Sequence, residues 1–123
     1  MGGNGPAAHH TWEEVRRIAC EIVDGMNEPG SAFMYECKPA VAGGVIVKED
    51  SFVVIKKEAK NSGRAMPIAL FSYGPETKIT VQVKPTGYVK TYDLTSDGEL
   101  LNFHGSLYDM VDEVMFQLPQ IPI

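Results

Sequence analysis

The sequence is poor in residues that staple a fold or announce a chemistry. Its two cysteines, Cys20 and Cys37, form neither a CxxC pair nor any short metal-ligand spacing. No apolar run approaches the ~18 residues of a membrane span. The opening MGGNGPAAHH has no basic segment and no apolar one. No secretory leader is therefore expected, and the chain reads as cytoplasmic with both thiols reduced. Positive charge is scarce too: 11 Lys and Arg stand against 16 Asp and Glu, for a net charge of −5. Such a field repels a phosphate backbone. The one basic cluster, Lys56, Lys57, Lys60 and Arg64, is interrupted by Glu58 and reads as the solvated end of a strand and its loop. Neither nucleic acid nor a membrane is an expected partner. Gly43–Gly44 lacks the further glycines of a phosphate loop or dinucleotide fingerprint, and bending of a strand explains it more simply. No internal repeat is visible.

What is present is an ordinary globular composition. The 123 residues are 44% hydrophobic and 22% charged, enough for one core that needs no disulfide and no structural metal. Residues 1–10, rich in Gly, Ala, Pro and Asn, are expected to be a flexible tail, and 11–123 a single α+β domain. The first helix is expected to begin at Thr11, with Glu14 completing a capping box. Trp12, Val15, Ala19, Ile22, Val23 and Met26 fall on one stripe, and Glu13, Glu14, Arg17, Glu21 and Asp24 on the other. Cys20 lies at the border, one turn after Arg16. Gly25, Asn27, Pro29 and Gly30 end the helix.

Strand-like segments follow. Residues 31–37 carry β-formers on both parities. Residues 43–48 and 51–57 suggest a hairpin turning at Glu49–Asp50. The polar loop at 60–64 leads to 66–73, where Pro67 is acceptable only at the strand's start or on an edge. In 77–84, Ile79, Val81 and Val83 alternate with polar residues. Pro85–Thr86–Gly87 turns the chain into 88–94, and Asp97–Gly98 turns it again into a short strand at 99–103. A second helix opens at Ser106, with Asp109 closing the box. Its core stripe is Leu107, Met110, Val111, Val114 and Leu118, and Pro119 stops it. The expectation is a mostly antiparallel, curved sheet of about six strands with an amphipathic helix from each end of the chain packed on it.

No chemical constellation emerges. Asp93–His104 echoes the start of a calcium loop, but position twelve holds His104 where a bidentate Glu is required, and the flanks are strands. A hairpin turn explains the same residues. His9 and His10 supply too few ligands for a metal. His104 and Ser106 are not set in a nucleophile elbow. Glu36, Glu49, Asp50 and Glu58 lie near strand ends with nothing to pair them. No catalytic residue, cofactor or metal is expected.

One apolar surplus stands out. Segments 51–57 and 66–73 are apolar on both parities (Phe52 and Val54 against Val53 and Ile55; Ile68 and Leu70 against Ala69 and Phe71). Both faces of the sheet then ask for cover, and two helices cannot cover both. The last helix also carries Phe116 opposite its core stripe, beside Tyr108 and Met115, with Ile121 and Ile123 following. These five residues, or the uncovered sheet face, are the expected interface of a non-catalytic interaction domain, paired with itself or with another protein. The alternative is a small-molecule-binding domain or small enzyme, with Tyr35, Tyr73, Tyr88, Tyr92 and His104 lining an apolar pocket between curved sheet and helix. An acidic, chaperone-like partner for a basic or unfolded segment fits the charge without naming a residue.

Overall fold

Alternating β-formers between two amphipathic helices produce one antiparallel sheet with both helices on the same side. The computed structural model describes residues 6–39, 41–42, 45–46, 51–59, 64–74, 78–83, 86–95, 97–101 and 103–121. Helix α1 (Pro6–Met26) is followed by β1 (Phe33–Pro39), β2 (Val41–Ala42), β3 (Val45–Ile46), β4 (Ser51–Glu58), β5 (Ala65–Tyr73), β6 (Lys78–Val83) and β7 (Tyr88–Asp93). Helix α2 (Leu107–Met115) and a short 3-10 turn (Leu118–Gln120) complete the order. The main sheet has five strands in the order β1-β4-β5-β6-β7, and β2 with β3 makes a separate two-stranded pair. The class is α+β, with five strands in the curved sheet rather than about six.

Helix α1 begins at Pro6, five residues before the expected Thr11. Proline suits a first helical turn, where its missing N–H would go unpaired anyway. Ala8 is buried and extends the stripe of Trp12, Val15 and Ala19 backwards by one turn. Half of the expected tail is therefore helix, and residues 1–5 lie outside the described residues. Thr11 does not cap. Its hydroxyl donates to Ala7 O at 3.1 Å and to Gly98 O at 2.8 Å, tying α1 to the turn after β7. Gly98 has φ +83°, and a Cβ there would collide with the Thr11 hydroxyl and the Ala7 carbonyl. Only glycine meets both demands.

The pairing of β4 departs from the expected hairpin. Its neighbour is β1, in the register Phe33↔Glu58 to Pro39↔Phe52, and not the segment immediately before it. That segment pairs with itself, Val41↔Ile46 and Ala42↔Val45. Only two residues, Gly43 and Gly44, then separate β2 from β3, a spacing and composition that favour a local hairpin over a longer excursion. The expected turn residues Glu49, Asp50 and Pro85 lie outside the described residues. The strand expected at 99–103 is reduced to a single bridge, Leu94↔Leu100. Pro67 is accommodated as its chemistry requires: β6 pairs β5 only along Ala69–Tyr73, and the β4 register shifts between Val54 and Ile55 at this point.

The core lies between α1, α2 and the inward face of the sheet. Phe52 and Phe71 are cross-strand partners with ring centroids 4.7 Å apart. Trp12 descends from α1 onto Phe52 at 5.6 Å and stacks on Tyr73 at 5.7 Å. Ile79, Val81 and Val83 of β6 continue the inward face, and Met110, Val111, Val114, Met115 and Leu118 close it from α2 and the 3-10 turn. At roughly 1.5–3 kcal/mol for each large apolar side chain removed from water, this layer is the main favourable contribution to folding. The α2 capping box forms as its sequence implies: Ser106 Oγ accepts from Asp109 N, and the Asp109 carboxylate accepts from Ser106 N.

Candidate functional site

The period of two along each strand divides the sheet into a covered face and an outer one. Outward-pointing residues line up across strands in the row Lys38–Val53–Leu70–Gln82–Val89. A second row runs Ser51–Ser72–Thr80–Thr91, with the two threonine hydroxyls 3.5 Å apart. Val53, Ile55 and Leu70 are only half-buried, and Val89 and Met34 are exposed. Among the described residues, neither α1 nor α2 lies on this side, because their apolar stripes are spent on the inward face.

Charge is placed at the borders of the outer face. Glu36 on β1 is paired with Lys57 on β4 and approached by Lys38 at 3.3 Å. The Lys57 hydrogen bond, followed by Lys38, holds the Glu36 carboxyl below its ordinary range. At the opposite edge Lys78 faces Asp93 at 4.0 Å. Charged edges of this kind discourage strand-to-strand addition.

The interface residues expected on α2 divide between two environments. Tyr108 and Phe116 are exposed, Phe116 at 72%. Met115 and Ile121 are buried at 2% each and belong to the core. Met115 falls on the buried face of α2, and the 3-10 turn that follows brings Ile121 to the Lys56 ammonium on β4. Ile123 lies outside the described residues. Tyr108 borders a shallow groove of about 420 Å³ with Glu21, Ile22, Gly25 and Met26 of α1.

The expected pocket residues do not converge. Tyr35 is buried at the α1–β1 contact, where Asn27 brackets its backbone: Oδ1 accepts from Tyr35 N at 2.7 Å and Nδ2 donates to Tyr35 O at 2.8 Å. Tyr73 is stacked on Trp12 and meets His9 edge-on. His104 is exposed just before α2. Tyr88 and Tyr92 do come together on the inward face of β7. Their hydroxyls face one another without meeting hydrogen-bond geometry. Burial, then the Tyr88 hydroxyl, push the Tyr92 phenol well above the usual tyrosine range. The Tyr92 ring meets Phe103 edge-on at 6.0 Å, and Phe103 lines a second groove of about 340 Å³ with Leu100 and Leu107. Lys90 lies over the Tyr92 ring at 5.1 Å and the Phe103 ring at 5.8 Å.

Lys56 corrects the reading of the basic cluster. It is 3% exposed and points inward. Its ammonium donates to Ile121 O at 2.6 Å and Pro119 O at 3.3 Å, and sits 4.4 Å from the Phe33 ring centroid. Burial lowers its pKa. A sequence signal for this existed: Phe52, Val54 and Lys56 share one parity, so the face that buries the first two also carries the third inward.

Among the described residues, no three His, Cys, Asp or Glu side chains are grouped to hold a metal ion, and no helix is long and apolar enough to cross a membrane. Comparison with protein-family models, with curated proteins and with solved structures finds no match to the chain.

Proposed function

We propose that the chain is a non-catalytic interaction module that pairs with a second copy of itself through the outer face of its sheet. The observation that supports this best is the Val53–Leu70 cross-strand pair, apolar and half-exposed, with Ile55 beside it, at the centre of a face whose charges sit at its borders. That pattern of apolar centre and polar rim is what protein interfaces share. Five strands ~4.8 Å apart and about six residues long at ~3.3 Å each give a face of roughly 24 by 20 Å in plan. This is roughly 480 Å², against the ~600–1,000 Å² that each partner buries in a specific interface. The net charge of −5 opposes self-association in general. Among the described residues of this face, however, Lys38, Lys57 and Lys78 outnumber Glu36 and Asp93. A two-fold axis through Leu70 on the central strand would bring like patch onto like patch.

The test is solution mass by light scattering over a dilution series. The reading requires a mass near twice 13.5 kDa in the wild type and a folded monomer in a Val53→Lys, Leu70→Glu variant. A wild type that stays monomeric at every concentration removes it.

A second reading, a small-molecule-binding domain, is favoured by the groove that Phe103 lines with Leu100 and Leu107, with the Tyr92 ring edge-on to Phe103 behind it. Native mass spectrometry of freshly purified protein distinguishes the readings: bound small-molecule mass on a monomer supports the second and none supports the first.

A further inference from the structure

Cys20 and Cys37 sit on different elements, and the fold brings them together. Helix α1 and strand β1 run side by side in opposite directions, fastened at their adjoining ends by the Asn27–Tyr35 backbone bracket. Two helical turns back from Asn27, through Val23, lies Cys20, about 10 Å along the axis. Two residues on from Tyr35 lies Cys37, about 7 Å along the strand and on the same inward face. The two positions therefore come nearly level. Cys37 stands opposite Val54 and packs against the core, and both cysteines are free and half-buried. Cys20 is close enough to act on the Cys37 thiol, as are Arg16 and Asp24, one turn to either side of Cys20. Burial, then the neighbouring Cys20, drive the Cys37 thiol far above its ordinary range.

We propose that Cys20 and Cys37 are a reversible dithiol–disulfide pair, oxidised by hydrogen peroxide, that bolts α1 to the edge strand β1. Cys37 packs against the core while Cys20 stands at its border, so the first step falls to Cys20. Its thiolate attacks the peroxide, the O–O bond breaks, and a sulfenic acid forms as hydroxide leaves and takes up a proton. The Cys37 sulfur then attacks the Cys20 sulfur. The S–S bond forms, the S–O bond breaks, and the Cys37 proton departs with the hydroxyl as water. Two thiols and one peroxide become one disulfide and two waters: each sulfur loses one electron and the peroxide gains two. An intracellular thiol reductant reverses the reaction by exchange. The pair lies on the inward side of the sheet, so it stands apart from the pairing proposed for the outer face.

The experiment treats the full chain, fully reduced, with stoichiometric hydrogen peroxide. The expected product is a chain lighter by two hydrogens, with no alkylatable thiol and, on digestion, one linked peptide containing both cysteines. Closing the loop between them should raise Tm on the order of 10 °C, reversed by dithiothreitol. Cys20→Ser and Cys37→Ser should each abolish the mass change. Cys20 is at the border of the core, so its variant serves if the Cys37 substitution fails to fold. Retention of both free thiols, separate over-oxidation to sulfinic acids, or cross-links only between chains would each overturn the proposal.

Discussion

The Lys56 ammonium donates to the carbonyl oxygen of Ile121 at 2.6 Å, joining the inward face of β4 to a residue 65 positions later. With Pro119 O at 3.3 Å, it gathers one carbonyl of the 3-10 turn and that of its C-cap residue around one buried cation, 4.4 Å from the Phe33 ring centroid. The chain beyond α2 is thus held by a charge-assisted pair of hydrogen bonds, and Ile121 is carried into the core with it.

Replacing Lys56 by Met keeps the apolar stem and removes the donor. Two carbonyls then lose their partner, which costs about 1–3 kcal/mol if they stay buried. Urea unfolding should show that loss, and hydrogen exchange should show the segment after α2 opening ahead of the rest. Unchanged exchange there would mean that Ile121 is held by packing alone.

Gly98→Ala should destabilise by about 1–3 kcal/mol. The positive φ is strained for alanine, and its methyl collides with the Thr11 hydroxyl and the Ala7 backbone. The displaced element is the first turn of α1, so a Gly98→Ala, Thr11→Ala double variant should recover part of the loss. Full additivity of the two substitutions in denaturant titrations would contradict a shared contact.

Acid should weaken the fold through carboxylates that it stabilises in charged form. Asp109, bonded by the Ser106 backbone and then its hydroxyl, lies below its ordinary 3.8. Glu36, bonded by Lys57, and Glu14, bonded by Arg17, lie below 4.5. A lowered folded pKa means the unfolded chain binds more protons. These contributions are therefore fully present above the ordinary values and are lost as pH falls through the lower folded ones. Stability measured from pH 6 down to about pH 3 should fall over the acid end of that range. Asp109→Asn should flatten that decline. In a separate measurement at neutral pH, Ser106→Ala should cost about 1 kcal/mol of helix capping.

Much of this architecture can be read from residue order. The periods of 3.6 and 2 mark both helices and the strands, because burial on one side must repeat with the geometry of the element. The Ser106–Asp109 box forms where its local spacing places it. The same logic applied at Thr11 misplaces a helix start, since Ala8 and the Gly98 contact lie outside any local window and outweigh a capping signal. At the end of the chain, Met115 and Ile121 look as available as Phe116 until α2 and the 3-10 turn after it are packed against the sheet.

The sequence by itself determined the α+β class, the stripes of α1 and α2, the Ser106 cap and the apolar surplus of β4 and β5. All of these follow from contacts within a few residues or from strand alternation. Only the tertiary structure decided that β4 pairs with β1, that Lys56 points inward onto the Ile121 carbonyl, that Cys20 meets Cys37, and that Tyr88 faces Tyr92 while Tyr35 and Tyr73 stand apart. Each of these depends on which strand lies beside which. Strand order is chosen by the summed packing of the whole core, a sum that no local stretch of sequence contains.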